Sequence, residues 1–249
     1  MTTMTHPTFF LIHSPLVGPL TWALVATELR ERGIDVIVPE LIDNDRNETR
    51  LWRQHVDSVI SAINASQIEQ SLVLVGHSGA GALLPAIGRE LGGAVAGYGF
   101  VDAVIPVDGM NRLDLLETES AEFAREFRQH LQSGGRFPEW IADELTAILP
   151  DPTIRHQMVA ELRPRSLPFF TEPIPVSAGW PDAPCAYLQF TGSYDTYAHQ
   201  TRAAGWRFRA IDGGHFHMLV DPVAVAEAIS ALTLPGTDGG GAPLTGCGR

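Results

Sequence analysis

The sequence predicts an α/β fold, with a mostly parallel sheet, helices on both of its faces, and a helical insertion between the fourth and fifth predicted strands. Short apolar runs alternate with segments of helical periodicity through residue 101, and this alternation resumes near residue 184. Such alternation is typical of a parallel sheet that is covered on both faces. With 249 residues and 45% hydrophobic content, the chain is long enough to form one sizeable core.

The predicted elements follow one another in a regular order. Short apolar runs predict strands over residues 8–12, 35–38, 72–75, 94–101, 186–190 and 206–211. Apolar residues at helical spacing predict helices over residues 19–32, 48–64, 82–89, 197–204 and 222–232. Gly33 suits the end of the first helix, and Pro39 ends the second strand.

The alternation breaks between Asp102 and Pro184. Amphipathic patterns there predict helices over residues 119–132, 138–149 and 152–162, followed by a proline-rich stretch. An α/β sheet places its site at the carboxyl ends of its strands, where this insertion begins. We therefore predict a helical cap over residues 103–183, on a core formed by residues 1–102 and 184–234. Residues 235–249 are Gly-rich and aperiodic, which predicts a disordered tail.

The most informative motif is Gly-His-Ser-Gly-Ala-Gly, at residues 76–81 between an apolar strand and a helix. A sharp strand-to-helix turn exposes a serine as a nucleophile, and it needs small residues two positions before and after the serine. Gly76 and Ala80 meet this requirement around Ser78. The N–H groups at the start of the next helix face any oxyanion that forms nearby. The alternative is a glycine-rich turn with no catalytic function, but the position of the motif between a strand and a helix favours a catalytic serine.

This motif resembles the nucleophile elbow of the α/β-hydrolase family, with Ala80 where the family pattern has its second glycine. The resemblance covers nearly the whole chain, apart from the tail and much of the cap. The chain begins at the strand before the oxyanion loop, and it is most similar to the small esterase and hydroxynitrile lyase group. This resemblance implies a cofactor-free serine esterase that cleaves a carboxylic ester, thioester or lactone of a small, largely apolar substrate.

A catalytic serine needs a base, and the base needs an acid that orients it. The resemblance implies that His215 is the base, in a Gly-Gly-His-Phe loop after the last strand, with His217 as the alternative. It implies that Asp195 is the acid, in a loop of small residues after the preceding strand. Asp102 is the rival, which could instead line the pocket, and Asp182 is a weaker third choice.

The oxyanion hole is where the chain departs from the family pattern. One donor is expected to be the N–H of Gly79. The other would come from the loop that starts at His13, but an ungapped alignment places Pro15 there, and proline has no N–H. Loss of one such donor lowers the rate on the order of 100- to 1000-fold. The Leu16 N–H or the Ser14 hydroxyl could replace it, or the reaction could need less oxyanion stabilisation.

Two function classes besides hydrolysis therefore stay open. One is a lyase or cyclase that uses Ser78 and His215 for acid–base chemistry, which Pro15 favours. The other is a ligand-binding protein with an inactive triad. Phe216 stands where hydroxynitrile lyases carry a lysine, which disfavours cyanohydrin cleavage. His77 is expected in the pocket wall or directly behind it, Trp140 could line the pocket or belong to ordinary helix packing, and His13 is expected to anchor its loop.

Composition and motifs exclude several other functions. The formal net charge of −12 argues against nucleic acid and anionic membranes as partners, which leaves a small-molecule substrate. The nine histidines lack metal-ligand spacing, and nucleotide-binding motifs are missing, so we predict no metal or cofactor. No signal-like or membrane-spanning run is visible, which predicts a cytoplasmic protein. Cys185 and Cys247 do not suggest a disulfide, and a homodimer stays open.

Overall fold

One parallel sheet organises the fold. The computed structural model describes residues 7–44, 50–68 and 70–234. Within them, six strands pair in the order β2-β1-β3-β4-β5-β6, and every pair is parallel. The strands are β1 (Thr8–Ile12), β2 (Val36–Ile37), β3 (Leu72–His77), β4 (Val95–Val101), β5 (Cys185–Gln189) and β6 (Arg207–Ala210). The predicted α/β class and parallel sheet are confirmed.

Helices cover both faces of this sheet and fill the connection between β4 and β5. They are α1 (Leu20–Glu31), α2 (Leu51–Ser66), α3 (Leu84–Leu91), α4 (Arg112–Glu119), α5 (Ala121–Gln132), α6 (Pro152–Ala160), α7 (Leu167–Thr171), α8 (Asp195–Ala203) and α9 (Pro222–Thr233). In the part of the chain described, none of these helices has the length and apolar character that a membrane crossing requires. The predicted disordered tail, Cys247 and the first two residues of the helix predicted over 48–64 lie outside the described residues.

The sheet separates two apolar layers. Because successive side chains of a strand point to opposite faces, β1 sends Phe9 and Leu11 to one layer and Phe10 and Ile12 to the other. The first layer includes apolar residues of α1 and α9, and the second includes those of α2 and α3. The carboxyl ends of the central strands are thereby fixed at one edge of the sheet, where the candidate site lies.

The connection between β4 and β5, residues 102–184, is named the β4–β5 insertion. Its helices differ from the predicted ones. A helix predicted over 119–132 begins only at Ala121, after Ser120 has ended α4 and capped α5. The helix predicted over 138–149 is wrong, because only a short 3₁₀ turn, Ala142–Leu145, forms there. Phe137 instead pairs with Arg165 in an isolated antiparallel bridge, which holds the start of that segment in an extended path.

The turn after β3 packs closely against the loop after β4. A β-carbon built on Gly81 would lie 2.2 Å from the carbonyl oxygen of Val104. The N–H of Val104 in turn donates to the carbonyl oxygen of Ser78 at 3.3 Å. Gly81 therefore lets the turn that carries Ser78 approach the loop that follows Asp102.

Replacement of Gly81 by alanine should destabilise the protein, because the new methyl group meets a backbone atom that cannot rotate away. We expect Gly81→Ala to lower the free energy of unfolding by about 1–3 kcal/mol, measured by urea denaturation. Gly79→Ala is the matched control, since a β-carbon at Gly79 would meet its nearest atom, Ser14 Oγ, only at 3.4 Å. Equal stability losses in the two variants would contradict this account of the turn.

Candidate active site

Ser78 lies on a strained turn directly after β3. Its backbone φ is +55°, in the left-handed region that residues with a side chain rarely adopt. A 3₁₀ turn, Ser78–Leu83, separates the serine from α3, so the α-helix begins later than the sequence predicted. Gly79 and Gly81 in this turn have weak helix propensity, which is consistent with the later start. Strain of this kind costs about 1–3 kcal/mol and is typical of functional sites.

The buried carboxylate of Asp102 holds the imidazole of His215. Asp102 follows β4, has no solvent exposure, and its Oδ2 lies 2.7 Å from His215 Nδ1. The same carboxylate accepts hydrogen bonds from Phe190 N at 2.9 Å, Thr191 N at 3.1 Å and Thr191 Oγ1 at 3.0 Å. An ionised carboxylate accepts and does not donate, so these partners assign the proton to His215 Nδ1. His215 Nε2 is then left as a proton acceptor.

The predicted contact between Asp195 and His215 is wrong. Asp195 is exposed at the start of α8, and its Oδ1 accepts a hydrogen bond from Gln189 Nε2 at 2.6 Å. A carboxylate in the first turn of a helix interacts favourably with the helix dipole, which gives Asp195 a structural reason to be there. The third choice, Asp182, accepts a hydrogen bond from the Tyr98 hydroxyl at 2.7 Å.

Two other histidines, His77 and His217, lie close to His215 in the structure or in the sequence. His77 is fully buried, and its Nε2 donates to the carbonyl oxygen of His215 at 2.9 Å. Burial lowers the pKa of His77 well below its ordinary value, which keeps it neutral. Its ring lies 4.5 Å from the His215 ring between centroids, and His77 is not among the cavity-lining residues, so of the two expected positions it takes the one behind the wall. The runner-up base, His217, packs its ring against Phe190 with a centroid distance of 5.5 Å.

His13 anchors the loop that follows β1, as its sequence context predicted. Its Nδ1 lies 2.9 Å from the carbonyl oxygen of Ser14, and its Nε2 lies 3.3 Å from the N–H of Leu41. Nε2 accepts the second bond, so Nδ1 carries the proton of a neutral ring. Burial lowers the pKa of His13 to about 4, in agreement with a neutral side chain.

Residues Ser14 to Leu16 lie close to Ser78 and Gly79, and the β4–β5 insertion holds them there. The N–H of Leu16 makes a long contact of 3.4 Å with Ser14 Oγ. The carbonyl oxygen of Leu16 accepts from Arg163 N at 2.9 Å, and that of Pro15 lies 3.4 Å from Arg165 Nη2. A β-carbon built on Gly79 would lie 3.4 Å from Ser14 Oγ, so the Ser14 hydroxyl lies close to the residue that follows Ser78.

A cavity of about 180 Å³ opens beside Ser78, Gly79 and Leu16. Its other lining residues are mostly apolar side chains of the insertion: Val104, Arg112, Leu115, Leu116, Glu119, Phe123, Phe127, Phe137 and Phe170, together with Tyr194. Trp140, a candidate for this wall, is not among the lining residues, because its ring packs against Phe137 and Phe216, with centroid distances of 5.3 and 5.9 Å.

Tyr194 is a site residue that the sequence did not reveal. Its hydroxyl lies 3.4 Å from Ser78 Oγ, and its ring stacks on the His215 ring with a centroid distance of 5.4 Å and an angle of 5°. Burial raises the pKa of this phenol, so the hydroxyl remains a donor. Among the described residues no hydrogen bond joins Ser78 to His215, and such bonds often tighten only when substrate binds. Tyr194 lies in a short 3₁₀ turn, Gly192–Tyr194, which gives no periodic signal in the sequence. Only its position next to Asp195 could have drawn attention to it.

Across residues 7–44, 50–68 and 70–234, no group of three His, Cys, Asp or Glu side chains is arranged to hold a metal ion.

Comparisons with known proteins place this geometry in a wider context. A model of the alpha/beta hydrolase family matches residues 9–228. An extracellular alpha/beta-hydrolase from a Paenibacillus species, described as sharing structural and functional homology with tobacco salicylic acid binding protein 2, superposes with a TM-score of 0.75. The two proteins are 22% identical, over 92% of this chain and 99% of that one. A search of the curated proteins found no match.

Two further solved structures have the same fold at lower identity. Polyneuridine aldehyde esterase is 16% identical over 89% of this chain and 97% of that one, with a TM-score of 0.67. A histidine-to-alanine variant of tomato methylketone synthase I, complexed with β-ketoheptanoate, is 11% identical over 91% and 98%, with a TM-score of 0.68. At these identities the likeness establishes the fold alone.

The buried neutral histidines predict that stability falls in mild acid. The pKa of His13 is about 4 in the folded protein and 6.5 in its ordinary state, so the unfolded chain binds more protons between these values. Between pH 7 and pH 5, His13 alone should lower the free energy of unfolding by about 2 kcal/mol. His55 and His77, whose pKa values are also lowered by burial, act in the same direction.

Urea denaturation at pH 7, 6 and 5 checks this expectation, because most carboxylates stay ionised over that range. A free energy of unfolding that does not change between pH 7 and pH 5 would contradict it.

Proposed function

The chain belongs to the alpha/beta hydrolase family, and from this premise we propose that it is a serine hydrolase. Its substrate would be a carboxylic ester, thioester or lactone of a small, largely apolar molecule. The observation that carries the proposal is the 2.7 Å contact between the buried Asp102 carboxylate and His215. That contact prepares His215 Nε2 as a base next to Ser78, whose strained turn borders an apolar cavity.

The proposed reaction has two stages. The hydroxyl of Ser78 turns from Tyr194 towards His215 Nε2, transfers its proton there, and attacks the substrate carbonyl carbon. Asp102 stabilises the resulting imidazolium, which then protonates the departing alcohol or thiol and leaves an acyl group on Ser78 Oγ. Water attacks this acyl group while His215 takes its proton, and the acid is released as the serine is restored.

The oxyanion of each stage needs donors that do not depend on Pro15. We assign these donors to the N–H of Gly79 and the hydroxyl of Ser14. Ser14 Oγ already receives the long contact from Leu16 N, so its own proton is available for the substrate. The backbone bond from Arg163 to Leu16 supports this assignment, because it limits movement of the loop.

A second candidate, a lyase or cyclase, is favoured by Pro15 and by the resting contact between Ser78 and Tyr194. Such an enzyme would use the two hydroxyls and His215 to move protons without forming an acyl-serine. Covalent labelling of Ser78 distinguishes the two candidates, because only the hydrolase requires a nucleophilic serine.

Replacement of the nucleophile tests the proposal. Ser78→Ala should lower turnover of short-chain p-nitrophenyl esters by at least about 1000-fold, since the acyl intermediate cannot form. A fluorophosphonate probe should label the unaltered protein at Ser78, and intact-mass analysis should find no adduct on the variant. Undiminished hydrolysis by the variant would remove Ser78 from the mechanism, and a folded protein that resists labelling would favour the lyase or cyclase.

Paired substitutions test which carboxylate acts on His215. Asp102→Asn should lower kcat for ester hydrolysis by at least about 1000-fold, because the amide favours the wrong imidazole tautomer. Asp195→Asn should leave kcat within about threefold, because its carboxylate bonds to Gln189. Circular dichroism of both variants checks that they fold. The opposite ranking of the two kcat values would return the acid role to Asp195.

A further inference from the structure

One stripe of α4 lines the cavity and carries a charge at each end. Its members are Arg112, Leu115, Leu116 and Glu119. These positions are three, four and seven residues apart, so they lie on the same side of the helix. Seven residues of helix rise by about 10 Å. The cavity wall therefore has a basic end, an apolar middle and an acidic end.

Protein groups occupy only one edge of the Arg112 guanidinium. Its Nη1 donates to the carbonyl oxygen of Phe169 at 2.8 Å and lies 3.3 Å from Glu172 Oε1. The guanidinium carbon lies 3.9 Å from the centroid of the Phe169 ring. Nε and Nη2 of Arg112 are buried, and neither has a hydrogen-bond partner in the described part of the chain. Buried donors without partners are rare in folded proteins, so this pair requires an explanation.

The geometry of the free edge suits one kind of ligand. The Nε–H and one Nη2–H of an arginine are parallel, and they match the two oxygen atoms of a carboxylate. The Arg112 side chain is only 9% exposed and borders the cavity that contains Ser78. A ligand oxygen at this edge would be shielded from bulk water, which strengthens a charge-assisted hydrogen bond.

The charge of Arg112 is only partly neutralised by its surroundings. Glu172 divides its carboxylate between Arg112 and two backbone donors, Leu51 N at 3.0 Å and Trp52 N at 2.9 Å. Burial lowers the pKa of Arg112 to about 10, which still leaves it a cation at neutral pH. The neighbouring cation, Arg165, has its own partner in Asp43, at 2.8 Å from Nη1 to Oδ1.

The acidic end of the stripe lies on the side of the nucleophile. Glu119 lines the cavity together with Tyr194, whose hydroxyl contacts Ser78. Burial raises the pKa of Tyr194, and the charges of Asp102 and then of Glu119 raise it further, in agreement with a position of Glu119 close to that hydroxyl. A substrate anion would be repelled at this end and attracted at the other. The charges of α4 therefore favour one orientation, with the reacting carbonyl near Ser78 and a negative group near Arg112.

We propose that Arg112 binds a carboxylate of the substrate, and that the preferred substrate is an ester or thioester with a free carboxylate remote from the bond that is cleaved. This inference rests on the proposed hydrolase function and adds a substrate class to it. The apolar middle of the stripe, with the phenylalanines opposite, would contact the hydrocarbon that joins the two groups.

The kinetic test compares two esters of equal chain length, mono-p-nitrophenyl adipate and p-nitrophenyl hexanoate. The unaltered protein should have at least about tenfold higher kcat/KM for the adipate ester. Arg112→Met should lower kcat/KM for that ester by about 10- to 100-fold, the range expected for a lost charged hydrogen-bond pair, and by less than about threefold for the hexanoate. Equal kcat/KM values for the two esters in the unaltered protein would overturn the inference. So would an equal loss of kcat/KM for both esters in Arg112→Met.

Two control variants separate binding from folding. Arg112→Lys keeps a cation beside Glu172 but lacks the two parallel N–H groups of the guanidinium. It should therefore fold and lose most of the preference for the adipate ester. Arg202→Met removes an arginine whose guanidinium carbon lies 3.8 Å from the centroid of the Phe208 ring. Neither Arg202 nor Phe208 lines the cavity, so this variant should keep the full preference for the adipate ester. If Arg112→Lys keeps the full preference for the adipate ester, a positive charge alone suffices, and the proposed binding by two parallel N–H groups is wrong.

A binding measurement keeps the inference independent of turnover. Monomethyl adipate should bind to the Ser78→Ala protein in calorimetry, and Arg112→Met in that background should weaken binding by about tenfold or more. Arg112-dependent binding without fluorophosphonate labelling of Ser78 in the unaltered protein would sustain the carboxylate site at Arg112 and remove the hydrolase function. Labelling of Ser78 with no Arg112-dependent binding would remove the inference and leave the hydrolase function intact.

Discussion

The contact between Asp102 and His215 is the interaction on which the candidate site depends. Asp102 has no solvent exposure and receives three further hydrogen bonds, from Phe190 and Thr191, at the end of β5. Its carboxylate therefore ties together the segments that follow β4, β5 and β6. Removal of the Asp102 carboxylate would leave the donors of Phe190, Thr191 and His215 without their acceptor, which makes this group hard to replace.

The sheet and the elbow could be predicted because their signals are local. Apolar runs, helical spacing and the small residues around Ser78 are all visible in short windows of the chain. The choice between Asp102 and Asp195 is different, since both follow a strand and both lie at the same edge of the sheet. The two residues differ in their partners, because Asp102 contacts His215 and the donors of Thr191 whereas Asp195 bonds to Gln189, and these partners come together only in the folded protein.

The β4–β5 insertion was less predictable, because its path is set by contacts between distant residues. The bridge between Phe137 and Arg165 replaces a predicted helix, and the capping box of Asn111 and Asp114 starts a helix that amphipathic spacing did not indicate. The cavity depends on this insertion for most of its wall. The place of Arg112 and Glu119 in the cavity wall therefore could not be inferred from composition, which records residue types and not the cavity that they border.

A crystal structure of the protein after reaction with a fluorophosphonate tests the central claim most directly. The account predicts a phosphorus bond to Ser78 Oγ, with a phosphonyl oxygen within about 3 Å of Gly79 N and Ser14 Oγ. It also predicts that His215 Nδ1 remains paired with Asp102. An adduct on another residue, or a His215 that has moved to Asp195, would contradict it.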